Sequence, residues 1–447
     1  MSGPLSGIRV VEFSQVIAGP VAGLLLSDLG ADVIKVEPPQ GESWRLMTPL
    51  TPTESRGFVA VNRGKRGIAV DLARPAGREV AHRLAKRADV ALINYRADVP
   101  ARLGVDYETL SKVNPKLVYC ELTAFGRKGP WAGRPGYDRI VQAESGMMVA
   151  EGLTEAGLPR PVLSTPPADL AAGYGMALTV CAALFHRERT GRGQKIETSL
   201  FSNGLMLQVL ALTRLEGRLS PSQKFVQEEL PTRKTAGDRF AEIAREYHRR
   251  RLSSIYRVYY QPYRTKDWLV MPAALSESLQ KKMMAVLGLH DSRFDPGKDP
   301  TVPAPVEQDE KLIAEMKKVF VTRTTAEWLE IFDRAGVPAG AINFVEQMID
   351  NEHARANGLI VEQVHEVFGK VTTVGPAFRM SETDLESRLP APALGQHTDE
   401  ILRQLGYSGD EISALRASAV LGPARATAGV PKQGREAPAR RVRGDEC

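Results

Sequence analysis

The first forty residues constrain the fold most, because they alternate a strand, a tight turn, a helix and a second strand. Residues 8–13 and 31–37 are short apolar runs typical of buried strands. Between them, Gly19-Pro20 marks a turn, and residues 21–29 show the apolar periodicity of a helix. Two strands joined through a helix run parallel, with a right-handed crossover. This segment therefore predicts a parallel sheet covered by helices.

The same alternation continues to about residue 122. Residues 68–72, 90–94 and 117–122 are predicted as strands, and 76–88 and 110–113 as helical. The pattern predicts an α/β, Rossmann-like large domain. The Gly-x-Gly-x-x-Gly turn of dinucleotide-binding proteins is absent from the sequence, which disfavours a dinucleotide cofactor. Residues 14–20 follow the first strand, where ligands of open sheets bind.

One carboxylate, Asp169, interrupts the small and apolar residues of segment 165–176, and a long apolar helix pattern follows it. In one interpretation it is an N-cap or first-turn residue that accepts backbone N–H groups and complements the helix dipole. In the other it is a covalent nucleophile on the rim of an apolar pocket. Both can hold, because we expect a helix N-terminus to keep the carboxylate ionised.

Composition fits an intracellular enzyme. The chain has 447 residues, of which 43% are hydrophobic, enough for two domains. Residues 1–11 lack the features of a signal peptide, and no run reaches about 18 apolar residues, so we expect a cytoplasmic protein outside the membrane. Cys120, Cys181 and Cys447 do not form a disulfide framework, and the spacing of Cys and His indicates no metal site.

The formal net charge of +6 raises the question of a polyanionic partner. Much of the basic excess lies in residues 424–443, which have no apolar periodicity, and in 245–251, predicted as a solvated helix face or a loop. No DNA- or RNA-binding motif accompanies either segment, so we expect no nucleic-acid partner.

Seven short motifs occur in a characteristic order: VEFSQVIAGP at 11–20, LGADVIKVEP at 29–38, NRGKRGI at 62–68, GYD at 136–138, TGRGQK at 190–195, GVPAG at 336–340 and LGQHTDE at 394–400. In order and spacing the chain resembles family III CoA-transferases of the formyl-CoA and carnitine type, from about residue 5 to 420. The α-methylacyl-CoA racemases are relatives of that family. Asp169 falls where the family keeps its nucleophilic aspartate.

The resemblance implies transfer of CoA from an acyl-CoA to a carboxylic acid through an aspartyl anhydride and an aspartyl-CoA thioester. Gln15, Gly19, Tyr137 and Asp138 would support Asp169. Backbone amides at 15–19 are candidate oxyanion donors, although the glycine there is equally explained by a tight turn. The expected role of the Tyr137 ring is packing in a turn.

The resemblance also implies contacts with CoA, which is a substrate here and not a tightly bound cofactor. The residues that would make them are Ser14, Gln15, Val70, Asn94, Tyr95 and Arg102. Ala73 stands where formyl-CoA transferases have a lysine, and Arg74 is predicted to replace it. Pro38 stands where relatives have an arginine, so the grip on the adenine and phosphates must differ.

Two alternatives stay open beside the transferase. A 2-methylacyl-CoA racemase needs two bases, one of them a histidine in a Gly-His-Asp motif, and Tyr137 stands at that position. This favours transfer. The other alternative is a CoA-binding protein that has lost catalysis. The glycine-rich loop of formyl-CoA transferases is missing between Arg218 and Tyr263, which argues against formate or oxalate as the specific substrate.

The expected organisation has five parts. They are a large CoA-binding domain at 1–216, an excursion at 217–252, a small α/β domain at 253–340, a segment at 341–421 that returns to the large domain, and a disordered tail at 422–447. The resemblance adds an interlocked homodimer.

Overall fold

The computed structural model describes residues 3–251, 254–298 and 304–422. It divides into two compact units. Of the described residues, unit 1 comprises 3–145, 162–208 and 352–422, and unit 2 comprises 146–161, 209–251, 254–298 and 304–351. The five sequence-based domain ranges stay a prediction, and the tail at 422–447 lies, apart from Gly422, outside the described residues.

The strands of the described residues are β1 Arg9–Phe13, β2 Asp32–Glu37, β3 Pro49–Thr51, β4 Glu54–Ser55, β5 Lys65–Ala69, β6 Val90–Ile93, β7 Val118–Thr123, β8 Thr154–Glu155, β9 Leu158–Pro159, β10 Lys195–Ser199, β11 Tyr263–Arg264, β12 Leu269–Pro272, β13 Ala339–Ala341, β14 Ile360–His365 and β15 Gly369–Val374.

The α-helices are α1 Ala18–Asp28, α2 Ser43–Leu46, α3 Arg56–Asn62, α4 Pro75–Arg87, α5 Val99–Leu103, α6 Tyr107–Val113, α7 Asp138–Glu144, α8 Met147–Ala150, α9 Pro167–Thr190, α10 Leu200–Leu207, α11 Val209–Leu212, α12 Pro221–Lys224, α13 Leu230–Ala236, α14 Phe240–Arg251, α15 Ser254–Tyr259, α16 Glu277–Leu287, α17 Val306–Phe320, α18 Thr325–Ala335, α19 Glu352–Ala356, α20 Thr398–Gln404 and α21 Gly409–Ala417. Short 3₁₀ segments lie at Ser292–Phe294 and Val345–Ile349, and a π-helical turn at Phe225–Glu229.

Unit 1 is built on a six-stranded parallel sheet, which confirms the predicted mixed α/β fold. The strand order is β10-β7-β6-β1-β2-β5, so β1 is central and pairs with both β2 and β6. Along β1, Val11 and Phe13 enter the core on one face of the sheet, while Val10 enters the core on the other. Both faces are covered, which explains why the strands read as continuous apolar runs.

The third strand begins earlier than the sequence indicated. It was predicted at 68–72, whereas β5 is Lys65–Ala69 because it pairs in register with Val33 to Glu37 of β2. Val70 lies just past its end and forms an isolated bridge with Leu421. β5 begins with Lys65, Arg66 and Gly67, so a prediction based on apolar runs placed the start of the strand too late.

The long helix α9 packs closely against α1, and this contact places the starts of both helices at one edge of the sheet. Gly173 permits the approach, because a Cβ there would lie 2.7 Å from Val21 Cγ1 and 2.9 Å from the Ala18 carbonyl oxygen. By length and composition alone, α9 is also the single helix of the described ranges that could cross a membrane. Its contacts with α1 and β7 are those of a core helix.

Unit 2 contains a three-stranded antiparallel sheet in the order β11-β12-β13. Its core includes aromatic side chains from α17 and α18, among them Phe320, Trp328 and Phe332. Residues 217–252, expected as an excursion, contribute α12 to α14 to this unit, and the basic segment at 245–251 is the end of α14.

Candidate active site

A cavity of about 180 Å³ opens at the carboxyl ends of β1, β6 and β7. Residues from the segments that follow these strands line it together with the starts of α1 and α9, and all belong to unit 1. Open α/β sheets bind ligands at this edge. Asp169, at the start of α9, is the single carboxylate among the described residues that line the cavity. We call it the Asp169 cavity.

The Asp169 carboxyl group lies in an environment that disfavours its charge. The residue is 9% exposed, and no side-chain or backbone donor of the described residues hydrogen-bonds to its carboxylate. Burial, with a smaller contribution from the negative charge of Asp138, raises the pKa of Asp169 to about 7. The group therefore changes between acid and carboxylate near neutral pH.

The N-terminus of α9 is capped by Asp138, and not by Asp169. The Asp138 Oδ2 atom accepts the backbone N–H groups of Ala168 at 2.8 Å and of Asp169 at 3.2 Å. Gln142 donates to the other oxygen of Asp138. The expectation that the helix start keeps Asp169 ionised was therefore wrong, because a neighbouring carboxylate already takes the first-turn amides and adds its negative charge.

Residues 15–18 also line the cavity. Asn94 fixes Gln15, accepting its N–H at 2.8 Å and donating to its carbonyl at 2.7 Å. The N–H of Val16 donates to Glu42 Oε2 at 2.7 Å. Two of the predicted oxyanion donors are thus already engaged. The amides of Ala18 and Gly19 open α1, where first-turn N–H groups have no partner within the helix.

Gly19 has a packing reason in addition to its place beside the cavity. A Cβ on this residue would lie 2.4 Å from Ser14 Cβ and 3.2 Å from Asn94 Cγ. Only glycine lets the first turn of α1 approach the end of β1 this closely.

The structure brings together several of the sequence-predicted residues and separates others. Gln15, Asn94, Tyr95 and Tyr137 line the Asp169 cavity, and Tyr137 is 69% exposed, so the packing role expected for its ring stays a prediction.

The other predicted CoA contacts lie outside the lining of this cavity. Ser14 is buried and its hydroxyl donates to Glu12 Oε1. Val70 is in the core, Arg74 pairs with Asp71, and Arg102 is exposed on α5.

Sequence reasoning missed a buried group of charges that hydrogen-bonds to the backbone of Ser14 and Val16. We call it the Glu12 cluster, and it consists of Glu12, Lys35, Glu37, Glu42, Arg45, Glu54 and Lys65. Lys35 Nζ lies 3.1 Å from Glu12 Oε1 and 3.0 Å from Glu42 Oε1, and Lys65 Nζ lies 2.8 Å from Glu12 Oε2. A lysine flanked by Ile34 and Val36 within a buried strand was the available signal.

The pKa shifts in the Glu12 cluster follow its ion pairs. Burial alone would raise the pKa of Glu12, but Lys65 and Lys35 overcome it and hold the value below the ordinary one. Burial also opposes the charge of Glu37, and Arg45 lowers its pKa. Burial lowers the pKa of Lys65 to about 8.

Comparison with known proteins decides the family. The family model described as CoA-transferase family III matches residues 5–398. The chain belongs to CoA-transferase family III.

Curated relatives agree with this assignment. This family III CoA-transferase is 33% identical over 423 residues to the succinyl-CoA:glutarate CoA-transferase of Mus musculus, covering 94% of this chain and 90% of that one. It is also 33% identical to the succinate–glutarate CoA-transferase of Agrobacterium fabrum, covering 90% of this chain and 96% of that one. A solved CaiB/BaiF family protein from Brucella suis has a TM-score of 0.70 and 29% identity, covering 91% of this chain and all of that one.

Two arginines outside the predicted set of CoA contacts also line the Asp169 cavity. The Arg134 guanidinium lies 5.2 Å and 5.1 Å from the ring centroids of Phe125 and Trp131 and pairs with Glu144. Arg96 pairs with Asp98. Both arginines thus place a positive charge in the cavity lining, and neither of them forms an ion pair with Asp169.

Proposed function

We propose that this transferase moves CoA from an acyl-CoA donor to a carboxylic acid, with Asp169 as the covalent nucleophile. One observation carries the proposal: Asp169 is the carboxylate of the described cavity lining, it is buried, and no cation or hydrogen-bond donor of the described chain engages its oxygens. A carboxylate without such partners keeps its lone pairs for attack on an acyl carbon.

The reaction proceeds in four attacks on acyl carbons. Asp169 attacks the donor thioester, and CoA thiolate leaves behind an acyl-aspartyl anhydride. The thiolate then attacks the aspartyl carbonyl, which releases the donor acid and leaves an aspartyl-CoA thioester. The acceptor carboxylate attacks the carbonyl of this thioester, which breaks the C–S bond, releases CoA thiolate again and gives a new anhydride. Finally the thiolate attacks the acceptor acyl group, which restores the Asp169 carboxylate.

Each step passes through a tetrahedral oxyanion that needs fixed donors. The first-turn amides of α1 at Ala18 and Gly19 are our candidates, since the amides of Gln15 and Val16 are engaged elsewhere. Asn94 keeps Gln15 in place, and with Tyr95 and Tyr137 it forms the wall along which we place the thiol end of CoA.

For the substrates we propose dicarboxylic acids and their CoA thioesters, of the succinate and glutarate type. The mouse and Agrobacterium relatives carry such substrates in their names. Arg134 and Arg96 supply the cavity with cations that suit the second carboxylate of such an acid. The donor and acceptor would then share one mode of binding.

We further propose a cytoplasmic homodimer. Unit 1 exposes large apolar side chains on α9 and α10, namely Tyr174, Leu178, Phe185, Met206 and Leu207. An apolar surface of this kind is typical of an interface between subunits. Size determination at nanomolar concentration tests the dimer, and a stable, active monomer would contradict it.

The nucleophile is tested with two replacements of one side chain. Asp169→Ala and Asp169→Asn should both lower transfer from succinyl-CoA to glutarate by about a thousandfold or more, because neither can form the anhydride. Wild-type protein mixed with succinyl-CoA should gain an adduct at Asp169 that hydroxylamine removes, detected by mass. Glu197→Gln is the matched control, since this carboxylate lies outside the cavity lining.

The same experiment separates the alternatives. A racemase would exchange the α-proton of 2-methylacyl-CoA with deuterated solvent and form no adduct, and an inactive CoA-binding protein would do neither. A fully active Asp169→Asn protein would end the covalent mechanism.

A further inference from the structure

Val16 is a cavity-lining residue with an unusual backbone. Its φ of 69° lies in the left-handed region, which a β-branched side chain occupies only at a cost in free energy. It stands directly between Gln15, held by Asn94, and Ile17, which precedes α1. The conformation of this one residue therefore sets how the chain turns from the end of β1 into the first turn of α1.

A carboxylate from the Glu12 cluster holds that turn. Glu42 is 3% exposed, and its Oε2 atom accepts the Val16 N–H at 2.7 Å. Its other oxygen lies 3.0 Å from Lys35 Nζ. Lys35, fully buried, also donates to the Ser14 carbonyl at 2.9 Å. A charge-assisted hydrogen bond to a backbone N–H is stronger than a neutral one.

The ion pairs of the cluster keep Glu42 where Val16 needs it. The backbone N–H of Glu42 donates to Glu37 Oε1 at 3.2 Å, and Arg45 donates to both oxygens of Glu37. Lys35 therefore binds two points of the turn, Ser14 directly and Val16 through Glu42. None of these side chains lines the cavity.

We propose that Glu42 is a positioning residue for transfer, which holds Val16 in its left-handed conformation and so aims the first-turn amides of α1 at the reacting carbonyl. This inference rests on the proposed function of the Asp169 cavity. It adds a role for the Glu12 cluster, which touches no reacting atom. A donor aimed at the developing oxyanion acts in the transition state more than in the bound substrate.

The expected signature is a loss of kcat with little change in KM. Glu42→Ala should lower kcat for transfer about tenfold or more and change KM for acyl-CoA no more than about twofold. Glu42→Gln keeps an oxygen for the Val16 N–H and should lose less. Adding Val16→Gly to Glu42→Ala should recover part of kcat, since glycine occupies positive φ without being held there. Val16→Gly alone completes the double-mutant cycle.

Asp291→Asn is the matched control. Asp291 is also a buried carboxylate, paired with Arg293 at 2.6 Å, but it belongs to unit 2. Asp291→Asn should lower the unfolding midpoint without lowering kcat selectively over KM. Equal kcat losses in Glu42→Ala and Asp291→Asn at matched stability would overturn the proposal, as would equal losses in Glu42→Ala and Glu42→Gln, or no recovery with Val16→Gly.

Outcomes for the two proposals are distinct. If Asp169→Asn keeps its turnover while Glu42→Ala loses it, the covalent mechanism fails and the positioning role of Glu42 stands. If Glu42→Ala does not fold, Glu42→Gln is compared with the wild type instead. The inference would then be overturned if Glu42→Gln and Val16→Gly both had the kcat of the wild type.

Discussion

Two groups of buried carboxylates lie at the same edge of one sheet and have opposite properties. In the Glu12 cluster, Glu12 and Glu37 contact lysine or arginine, and their pKa values are lowered in spite of burial. At the start of α9, burial and the negative charge of Asp138 raise the pKa of Asp169 to about 7. Burial acts in the same direction in both groups, so the cations make the difference.

The contrast distinguishes carboxylates that hold the backbone in place from the carboxylate that we propose as the nucleophile. A carboxylate paired with buried cations is fixed in charge and position, which suits a group that anchors backbone. A carboxylate without a cation is basic and has free lone pairs, which suits a nucleophile. The fold therefore uses its paired charges to hold the backbone of Ser14 and Val16, and it leaves the unpaired Asp169 in the lining of the cavity.

The largest expected effect is on the folding stability, in the Glu12 cluster. Glu12→Gln removes the shared partner of Lys35 and Lys65 and leaves two fully buried ammonium groups with fewer opposite charges. Breaking a buried ion pair on one side costs about 3–5 kcal/mol. We expect a loss of that size in the free energy of unfolding by urea, at fixed protein concentration. A loss below about 1 kcal/mol would show that the pairs do not hold the sheet edge.

Replacing Asp169 by a neutral residue should have the opposite effect and raise the free energy of unfolding at high pH. Its pKa of about 7 lies above the ordinary 3.8, so the folded protein keeps a proton that the unfolded chain releases between these values. This stabilisation is present below about pH 4 and is lost as pH rises through about 7. At pH 8, Asp169→Asn should therefore raise the free energy of unfolding relative to wild type, by on the order of 2 kcal/mol.

At pH 5 the same replacement should raise the free energy of unfolding by less than half as much, because the folded protein keeps Asp169 protonated there and only the ionisation of the unfolded chain above about pH 4 counts. Urea unfolding of both proteins at the two pH values measures the difference. Equal effects of the substitution at pH 5 and pH 8 would contradict the raised pKa.

The third test is the pH dependence of kcat/KM, which should change about tenfold per pH unit. The nucleophile must be a carboxylate, so kcat/KM should rise about tenfold per unit below the Asp169 pKa and level off above about pH 7. Saturating and limiting acyl-CoA must both be measured, because bound substrate changes the surroundings of the carboxyl group. A profile that is flat from pH 5 to 8 would assign the rate to another group.

The pattern of apolar runs predicted the parallel α/β sheet well, because both faces of its strands are buried and the runs are uninterrupted. It failed at β5, where Lys65 and Arg66 open the strand. The pairing of Lys65 with Glu12 depends on β2 lying between their two strands, a neighbour relation that no local pattern contains.

The nucleophile candidate could be found from the sequence, but its electrostatics could not. Asp169 stood out by its small and apolar neighbours, and the family resemblance gave it a role. That Asp138 takes the first-turn amides of α9 depends on contact between residues 30 positions apart. Local sequence therefore predicted an ionised Asp169, whereas the folded chain raises its pKa.

The smallest effect is expected from Asp138→Asn, which removes the like charge and keeps the cap. The Asn oxygen can still accept the N–H groups of Ala168 and Asp169, so stability should change by no more than about 1 kcal/mol. Burial is the larger cause of the Asp169 shift and stays in place, so the pKa should fall only part of the way from about 7. The kcat/KM profile should accordingly move to lower pH by less than the whole shift, with its plateau preserved. Asp138→Ala, which also removes the cap, serves as the reference for lost geometry: it should lower the plateau itself. If Asp138→Asn leaves the midpoint of the profile in place, the charge of Asp138 does not act on the nucleophile, and the cations that pair with Glu12 and Glu37 are alone what distinguishes the Glu12 cluster from Asp169.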